Sequence, residues 1–236
     1  MSVNGAVVVT GGASGLGALI AGALLERGRR AILVDRDASA AERAATAFED
    51  RHGVPVPVVV ADLASIAGAR AAADALAEPR LEVAALVNNA GAWSAGEQYP
   101  AADSDAWLAT VTLDLLAPML LTQHLWHRLA AVGGAVVNIG SSGGEGDSPY
   151  GSPEYGAAKA GIRRFTTALG DRTDVRVMAV VPGWIGLERA HRQLAALSPA
   201  EQRAASPLIA PQQVADRVIG LLDHGHAGEV VELLGP

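Results

Sequence analysis

The segment Ala6-Val-Val-Val-Thr10-Gly-Gly-Ala-Ser-Gly15-Leu-Gly17 decides the fold. Its first part, Ala6–Thr10, is rich in valine and predicts a strand buried on both faces of a sheet. Glycines at 11, 15 and 17 follow, and the Leu- and Ala-rich residues 15–27 predict a helix. A glycine turn lets the backbone approach a ligand closely, and a helix N-terminus offers free N–H groups to a pyrophosphate. The segment therefore predicts a dinucleotide site.

The rest of the chain continues the alternation of strand and helix. Further strands are predicted at residues 30–34, 56–61, 83–87, 135–139, 175–181 and 229–234, and further helices at residues 38–52, 64–77, 104–132, 154–169 and 211–224. Pro118 lies inside the longest helical segment and predicts a kink or break there. The alternation suits right-handed crossovers, so the predicted fold class is α/β. We expect a Rossmann-type, doubly wound parallel sheet of about seven strands with helices on both faces.

Residues 184–211 form the one long stretch with poor periodicity. Long connections of this kind are typical of functional loops. No linker or repeat divides the chain, so we expect residues 1–236 to form a single dinucleotide-binding domain. Residues 184–211 are then predicted to be a substrate-binding lid within it.

Composition excludes several kinds of site. The 236 residues carry a net charge of −7, which argues against a nucleic-acid or anionic-membrane surface. There is no cysteine, which excludes disulfides and thiolate chemistry, and the six histidines show no metal-ligand spacing. No apolar run approaches ~18 residues, and the N-terminus lacks a basic signal region. We expect a cytoplasmic protein with a small-molecule substrate and no metal, nucleic-acid or membrane partner.

An acidic residue, Asp35, follows the second predicted strand, roughly 20 residues beyond the glycine turn. A carboxylate there can accept hydrogen bonds from the adenosine ribose and repels a 2′-phosphate, which favours NAD over NADP. Arg36 tempers this prediction because an arginine beside the ribose can bind a phosphate. The third and fourth strands end in Asp62-Leu63 and Asn88-Asn-Ala-Gly91, at the edge where open α/β sheets bind ligands. Asn and Gly also suit a turn on structural grounds alone.

Tyr155 and Lys159 are four residues apart in a predicted helix, and Lys159 is the only lysine of the chain. Positions i and i+4 share a helix face, and a nearby cation lowers the pKa of a phenol. The tyrosine can then serve as a general acid or base on an alcohol or carbonyl. Alone, this spacing is common enough to arise by chance.

In their order along the chain, these motifs resemble the classical short-chain dehydrogenase/reductase family. The resemblance covers nearly the whole chain and is carried by Thr10-Gly11-x-x-x-Gly15-x-Gly17, Asp35, Asp62-Leu63, Asn88-Asn-Ala-Gly91, Ser142, Tyr155-x-x-x-Lys159 and Pro182-Gly183. Val3-Asn4-Gly5 and Pro207-Leu-Ile-Ala-Pro211 are most similar to the 15-hydroxyprostaglandin dehydrogenase branch, which does not by itself imply a prostaglandin substrate.

The resemblance implies an oxidoreductase that interconverts a secondary alcohol and a ketone with NAD, as a homodimer or homotetramer. It makes Tyr155 the general acid/base, Ser142 the group that orients the substrate oxygen, and Lys159 the residue that binds the nicotinamide ribose and lowers the tyrosine pKa. Ser141 and Tyr150 are weaker alternatives to Ser142 and Tyr155. The implied cofactor contacts are Gly11, Ser14, Gly15, Leu16, Gly17, Asp35, Arg36, Asp62, Leu63, Asn89, Ala90, Gly91, Tyr155, Lys159, Pro182, Gly183 and Ile185. The predicted substrate contacts are Ser142, Trp93, Tyr155 and Trp184, the two tryptophans being equally compatible with plain packing.

Two residues depart from the family pattern. Asp114 replaces an asparagine whose backbone carbonyl supports a water relay to the lysine, so it is predicted to place a negative charge near Lys159. Leu187 replaces a threonine that commonly contacts the nicotinamide carboxamide, which predicts weaker cofactor binding or a shifted lid. These departures keep open a non-redox reaction in the same pocket, such as cyclisation, dehydration or epimerisation. A non-catalytic nucleotide-binding protein is a third possibility, and the complete set of Ser142, Tyr155 and Lys159 disfavours it.

Overall fold

A computed structural model describes residues 5–93, 96–146 and 150–235; Val3 and Asn4 of the branch motif lie outside this part. It contains one seven-stranded sheet in which every pair of neighbouring strands is parallel. The strands are β1 (Ala6–Thr10), β2 (Arg30–Asp35), β3 (Val58–Val60), β4 (Val83–Asn88), β5 (Ala135–Ile139), β6 (Arg176–Pro182) and β7 (Val230–Leu233), in the spatial order β3-β2-β1-β4-β5-β6-β7. The predicted fold class is confirmed.

Helices cover both faces of the sheet. They are α1 (Gly15–Glu26), α2 (Ala38–His52), α3 (Ile66–Leu76), α4 (Ser104–Val111), α5 (Ala117–Ala131), α6 (Pro153–Ala168), α7 (Glu188–Ala196), α8 (Pro199–Ala204) and α9 (Pro211–His224). Alternate residues of β1 face opposite layers: Val7 and Val9 join a core with α1 and α9, whereas Val8 joins a core with α3 and α5. This two-sided burial explains why β1 is an uninterrupted valine run.

The third strand is shorter than the predicted residues 56–61. Its pairing with β2 begins only at Val58. The backbone N–H of Val56 donates instead to Oε1 of Glu49 on α2 at 2.8 Å, and Pro57 has no N–H to donate. The last strand is likewise trimmed, from 229–234 to Val230–Leu233.

The long helical segment is broken close to the predicted point. A π-helical turn, Thr112–Leu116, separates α4 from α5 and ends two residues before Pro118. Proline cannot donate to the carbonyl of Asp114 four residues earlier, so a regular α-helix is interrupted here. Among the described residues, Ser104–Ala131 is the one run long and apolar enough to cross a membrane. Here it packs on the sheet through fully buried Leu121, Leu125 and Leu129.

Residues 184–211 contain two short helices, α7 and α8. They have only nine and six residues, and so few turns carry too little of a periodic pattern to predict a helix from the sequence. The ends of the stretch are tied together, because the N–H of Ile209 donates to the carbonyl of Trp184 and the N–H of Gly186 donates to the carbonyl of Ile209, both at 2.8 Å. Residues 184–211 therefore form a closed insertion between the end of β6 and the start of α9.

Candidate active site

The strand order reverses at β1, which has β2 on one side and β4 on the other. A cleft of about 880 Å³ opens at the carboxyl ends of the strands, as expected for a doubly wound sheet. Most of the predicted cofactor residues line it: Gly11, Ser14, Leu16, Asp35, Arg36, Asp62, Leu63, Asn89, Ala90, Gly91, Tyr155, Lys159, Pro182, Gly183 and Ile185. The topology therefore brings these distant segments together.

Gly15 and Gly17 are the two predicted cofactor residues that do not line the cleft. Gly15 has φ of 54° and starts α1, so it supplies the sharp turn into the helix. Gly17 is buried, and a Cβ there would collide with the carbonyl oxygen of Gly11. Its smallness lets the first turn of α1 pack directly on the glycine turn. Neither glycine lines the cleft, and both determine the backbone path of the glycine turn that does.

The carboxylate of Asp35 is anchored beside the glycine turn. Its Oδ2 accepts a hydrogen bond from the N–H of Ala13 at 3.1 Å, and its Oδ1 accepts one from the N–H of Asp37 at 3.1 Å. The neighbouring Arg36 is exposed and also lines the cleft. A glycine cradle, a helix N-terminus and a carboxylate at the end of β2 are the groups that a dinucleotide needs at this edge, so the described residues fit such a cofactor.

Thr10, the last residue of β1, is hydrogen-bonded to the turn that follows β4. Its Oγ1 accepts hydrogen bonds from the N–H groups of Asn89 and Ala90, both at 2.9 Å. The side-chain amide of Asn89 donates to the carbonyl of Thr10 at 2.8 Å. The Asn-Ala-Gly turn after β4 is therefore held against the glycine turn after β1.

A buried chain of polar side chains connects β4, β5 and α6. The amide of Asn88 donates to Oδ1 of Asn138 at 2.8 Å, and the amide of Asn138 donates to Oγ1 of Thr166 at 2.9 Å. Sequence reasoning did not identify this network, although a polar residue inside each apolar strand was a usable signal. It fixes α6, which carries Tyr155 and Lys159, against the centre of the sheet.

Ser142, Tyr155 and Lys159 all line the cleft. Ser142 begins a short 3₁₀ turn after β5, in which Oγ of Ser141 accepts a hydrogen bond from the N–H of Gly143. Lys159 is buried, donates to the carbonyl of Ile139 at 2.9 Å, and has its Nζ 5.6 Å from the ring centroid of Tyr155. Helix α6 therefore directs both Tyr155 and Lys159 into the same cleft. Burial disfavours the ammonium, but attraction by Asp114 and Tyr155 outweighs it and raises the pKa of Lys159.

Asp114 lies behind this set and does not line the cleft. It sits in the π-helical turn, and its Oδ1 lies 2.9 Å from Nζ of Lys159. Its Oδ2 accepts a hydrogen bond from the N–H of Ala92 at 3.3 Å. Burial raises the pKa of Asp114, although attraction by Lys159 opposes the rise. The negative charge expected near Lys159 is therefore that of the Asp114 side chain, which forms a direct ion pair with the lysine.

The other end of the cleft is aromatic. Trp93 and Trp184 line it as predicted, together with Tyr150, whose ring stacks on that of Tyr155 at a centroid distance of 6.1 Å and an angle of 24°. Leu187 also lines the cleft, close to the glycine turn. Three further lining residues, which were not predicted, lie four residues apart along α7 and its C-terminal cap, and this spacing was the available signal. They are Arg189, Gln193 and Leu197.

Comparison with known proteins gives a consistent result. The sequence model of a family described as short chain dehydrogenase matches residues 5–196. A rhamnolipids biosynthesis 3-oxoacyl-(acyl-carrier-protein) reductase of Pseudomonas aeruginosa is 36% identical over 190 residues, covering 73% of this chain and 70% of the relative. A cis-4-hydroxycyclohexanecarboxylate dehydrogenase of Sinomonas cyclohexanicum is 34% identical over 225 residues, covering 89% and 86%. Among solved structures, Pseudomonas aeruginosa RhlG in an NADP active-site complex superimposes with a TM-score of 0.85 at 28% identity, covering 99% of this chain and 96% of that one.

Proposed function

The chain belongs to the short-chain dehydrogenase/reductase family, and from that premise we propose that it interconverts a secondary alcohol and a ketone with Tyr155 as general acid and base. Family membership makes it an oxidoreductase of alcohol or carbonyl substrates that uses a nicotinamide dinucleotide. The observation that carries the finer proposal is the position of the Lys159 ammonium, 5.6 Å from the Tyr155 ring in a cleft shared with Ser142 and the glycine turn.

The chain's own side chains move the proton in this proposal. Tyr155 removes the hydroxyl proton when an alcohol is oxidised and returns it when a ketone is reduced. Ser142 donates a hydrogen bond to the substrate oxygen and so stabilises the charge that develops there. Lys159 binds the nicotinamide ribose and favours the phenolate of Tyr155. The nicotinamide supplies the hydride acceptor or donor when the cofactor is bound.

For the cofactor, we favour NAD over NADP. The support is the Asp35 carboxylate, which is anchored at the end of β2 where a 2′-phosphate would be repelled. Arg36 beside it argues in the opposite direction, and RhlG was solved in an NADP complex. Because Asp35 and Arg36 carry opposite charges at this position, the preference is tested by comparing rates with NAD⁺ and NADP⁺.

A non-redox reaction in the same pocket is the second candidate, and the Asp114–Lys159 ion pair favours it. A carboxylate in direct contact with the lysine balances its positive charge. A balanced cation gives less stabilisation to the negative charge that develops when a hydroxyl proton is removed, a step with which a dehydration or cyclisation need not begin.

Absorbance of reduced nicotinamide during turnover of alcohols and ketones separates the two candidates. Net formation or loss of NADH or NADPH supports the first, and product without such a change supports the second. Tyr155→Phe is expected to lower the rate about 10²- to 10⁴-fold, the range for loss of a general acid/base. Tyr99→Phe is the matched control, because Tyr99 is exposed and does not line the cleft. Equal rates in the wild type and Tyr155→Phe would contradict the proposed role.

Three further proposals concern the whole chain. We infer a single functional domain in which residues 184–211 close over the substrate, because both ends of this stretch meet beside Pro182 and Gly183 of the cleft. We infer a homodimer or homotetramer, because an apolar groove along α5, between α3 and α6, exposes large side chains. A cytoplasmic location is inferred from the family fold.

A further inference from the structure

One cation faces the aromatic end of the cleft. Cζ of Arg189 lies 5.1 Å from the ring centroid of Trp93. Burial raises the pKa of the Tyr150 phenol, and the charge of Arg189 acts against that rise, so the guanidinium is within electrostatic reach of Tyr150. The ring of Tyr150 in turn stacks on Tyr155. Arg189 therefore lies at the same end of the cleft as the stacked pair of Tyr150 and Tyr155.

The charge of Arg189 is not paired by the described residues. Within residues 5–93, 96–146 and 150–235, no carboxylate forms a salt bridge with it. The acidic residues that line the cleft, Asp35 and Asp62, belong to the end near the glycine turn. Arg192, one turn further along α7, instead pairs with Glu188 at 3.7 Å. Arg189 is exposed and lies at the open side of the cleft, where an arginine without a carboxylate partner attracts an anionic ligand.

The neighbours of Arg189 define the shape of that ligand. Gln193 follows four residues later and lines the same cleft, so it adds an amide donor on the same helical face. Trp93, Trp184 and Leu197 provide apolar walls. A guanidinium matches the two oxygens of a carboxylate, and one cation balances one negative charge. A phosphate group carries nearly two charges, and Arg36, the other arginine of the cleft, is beside Asp35 at the glycine-turn end.

We propose that Arg189 binds a carboxylate of the substrate, so that this enzyme acts on hydroxy acids or oxo acids whose acid group is separated from the reacting carbon by an apolar body. The turnover part of this inference rests on the proposed oxidoreductase function, whereas binding of the carboxylate does not. The two are therefore tested separately.

Binding is tested with ligands that cannot react. Tryptophan fluorescence of the protein saturated with NAD⁺ is titrated with cyclohexanecarboxylate, with cyclohexanecarboxamide and with cyclohexyl phosphate. The wild type is expected to bind the carboxylate about 10- to 100-fold more tightly than the amide, the range for a hydrogen bond to a charged group. Arg189→Gln removes most of this preference, and Arg192→Gln retains it. Equal affinity for acid and amide, tighter binding of the phosphate, or a preference that survives Arg189→Gln would overturn the assignment.

Turnover is tested with hydroxycyclohexanecarboxylates and their primary amides, monitored by reduced-nicotinamide absorbance. Arg189→Gln is expected to lower kcat/KM for the acids about 10- to 100-fold more than for the amides. NADH formation with equal kcat/KM for acids and amides in the wild type would overturn the carboxylate assignment and leave the oxidoreductase function intact. Preferential binding of carboxylates without any change in NADH or NADPH would support the assignment and contradict the oxidoreductase function.

Discussion

Oδ1 of Asp114 lies 2.9 Å from Nζ of Lys159, and the two side chains are only 0% and 5% exposed. Removing two charges from water costs several kcal/mol for each ion, and a buried pair recovers this cost only with close geometry and further hydrogen bonds. The carbonyl of Ile139 and the N–H of Ala92 supply those bonds. The charge of Lys159 is therefore balanced by a carboxylate at a position where the family resemblance leads one to expect an asparagine.

Replacing this carboxylate is predicted to change the pH dependence of catalysis. Asp114→Asn keeps the shape of the side chain and removes one negative charge beside Lys159. Attraction by Asp114 raises the pKa of Lys159 against the effect of burial, so its removal lowers that pKa, and the pH profile of alcohol oxidation is expected to shift to lower pH by about one unit. The measurement is kcat/KM against pH.

Asp50→Asn is the matched control, because Asp50 is exposed on α2 and does not line the cleft. It should leave the profile in place. An unchanged profile in Asp114→Asn, or a shift to higher pH, would show that the ion pair does not set the protonation of the catalytic group.

The ion pair also predicts that Gly91 tolerates no side chain. A Cβ at Gly91 would lie 2.5 Å from Oδ1 of Asp114 and 3.2 Å from Nζ of Lys159. Gly91→Ala therefore drives a methyl group into the pair and is expected to lower the free energy of unfolding by roughly 1–3 kcal/mol, the range for overpacking. Urea denaturation measures this loss.

Gly220→Ala provides the comparison for this experiment. Gly220 is exposed on α9 with open space at its Cβ position, so alanine there should stabilise the protein by roughly 0.5–1 kcal/mol. If Gly91→Ala proved as stable as the wild type, the close packing around the ion pair would be contradicted.

The cofactor preference is predicted to depend on Asp35. Asp35→Ser removes the charge that would repel a 2′-phosphate and leaves Arg36 beside it, so kcat/KM with NADP⁺ is expected to rise about tenfold, equivalent to 1.4 kcal/mol. Initial rates with NAD⁺ and NADP⁺ give the ratio. The double variant Asp35→Ser/Arg36→Gln should lose the gain, and a wild type that already prefers NADP⁺ would refute the proposal.

Cofactor affinity is predicted to respond to residue 187. Leu187 lines the cleft, and its Cδ1 lies 3.7 Å from the Cβ position of Gly15. Leu187→Thr introduces a hydroxyl able to bind the nicotinamide carboxamide and is expected to lower the Kd of NAD about 2- to 10-fold, the range for one neutral hydrogen bond. Leu187→Val, close to threonine in shape without the hydroxyl, should show no such gain. Equal Kd values for the Thr and Val variants would count against a direct contact.

The groove along α5, between α3 and α6, is predicted to be an interface between copies of this chain. Its lining includes Leu116, Met119 and Phe165. Met119→Glu places a charge in this apolar surface and is expected to reduce the oligomer to smaller species, measured by size-exclusion chromatography with light scattering. Val54→Glu is the control, since Val54 and Met119 are both 37% exposed and Val54 is remote from the groove. A wild-type monomer would contradict the interface.

Sequence patterns, with the family resemblance that they carry, were enough to predict the class of fold and most of the cleft. Buried parallel strands need apolar residues on both faces, so runs such as Val7 to Val9 reveal them without a structure. The carboxyl ends of parallel strands meet at one edge, so polar residues that follow strands, such as Asp35 and Asn89, could be assigned to a common cleft. Spacing along one helix was enough to pair Tyr155 with Lys159, because that contact is local.

Contacts between distant segments were decided only by the tertiary structure. The family resemblance implied a carboxylate near Lys159, but its direct ion pair depends on how the π-helical turn packs against α6 and Gly91. Likewise, Arg189 reaches Trp93 only because α7 folds back over the cleft. A helix of only nine residues carries little periodic signal. Whether a charge is paired with another depends on atoms far apart in the chain. The positions of charges along the chain are thus a property of the sequence, while their partners are a property of the fold.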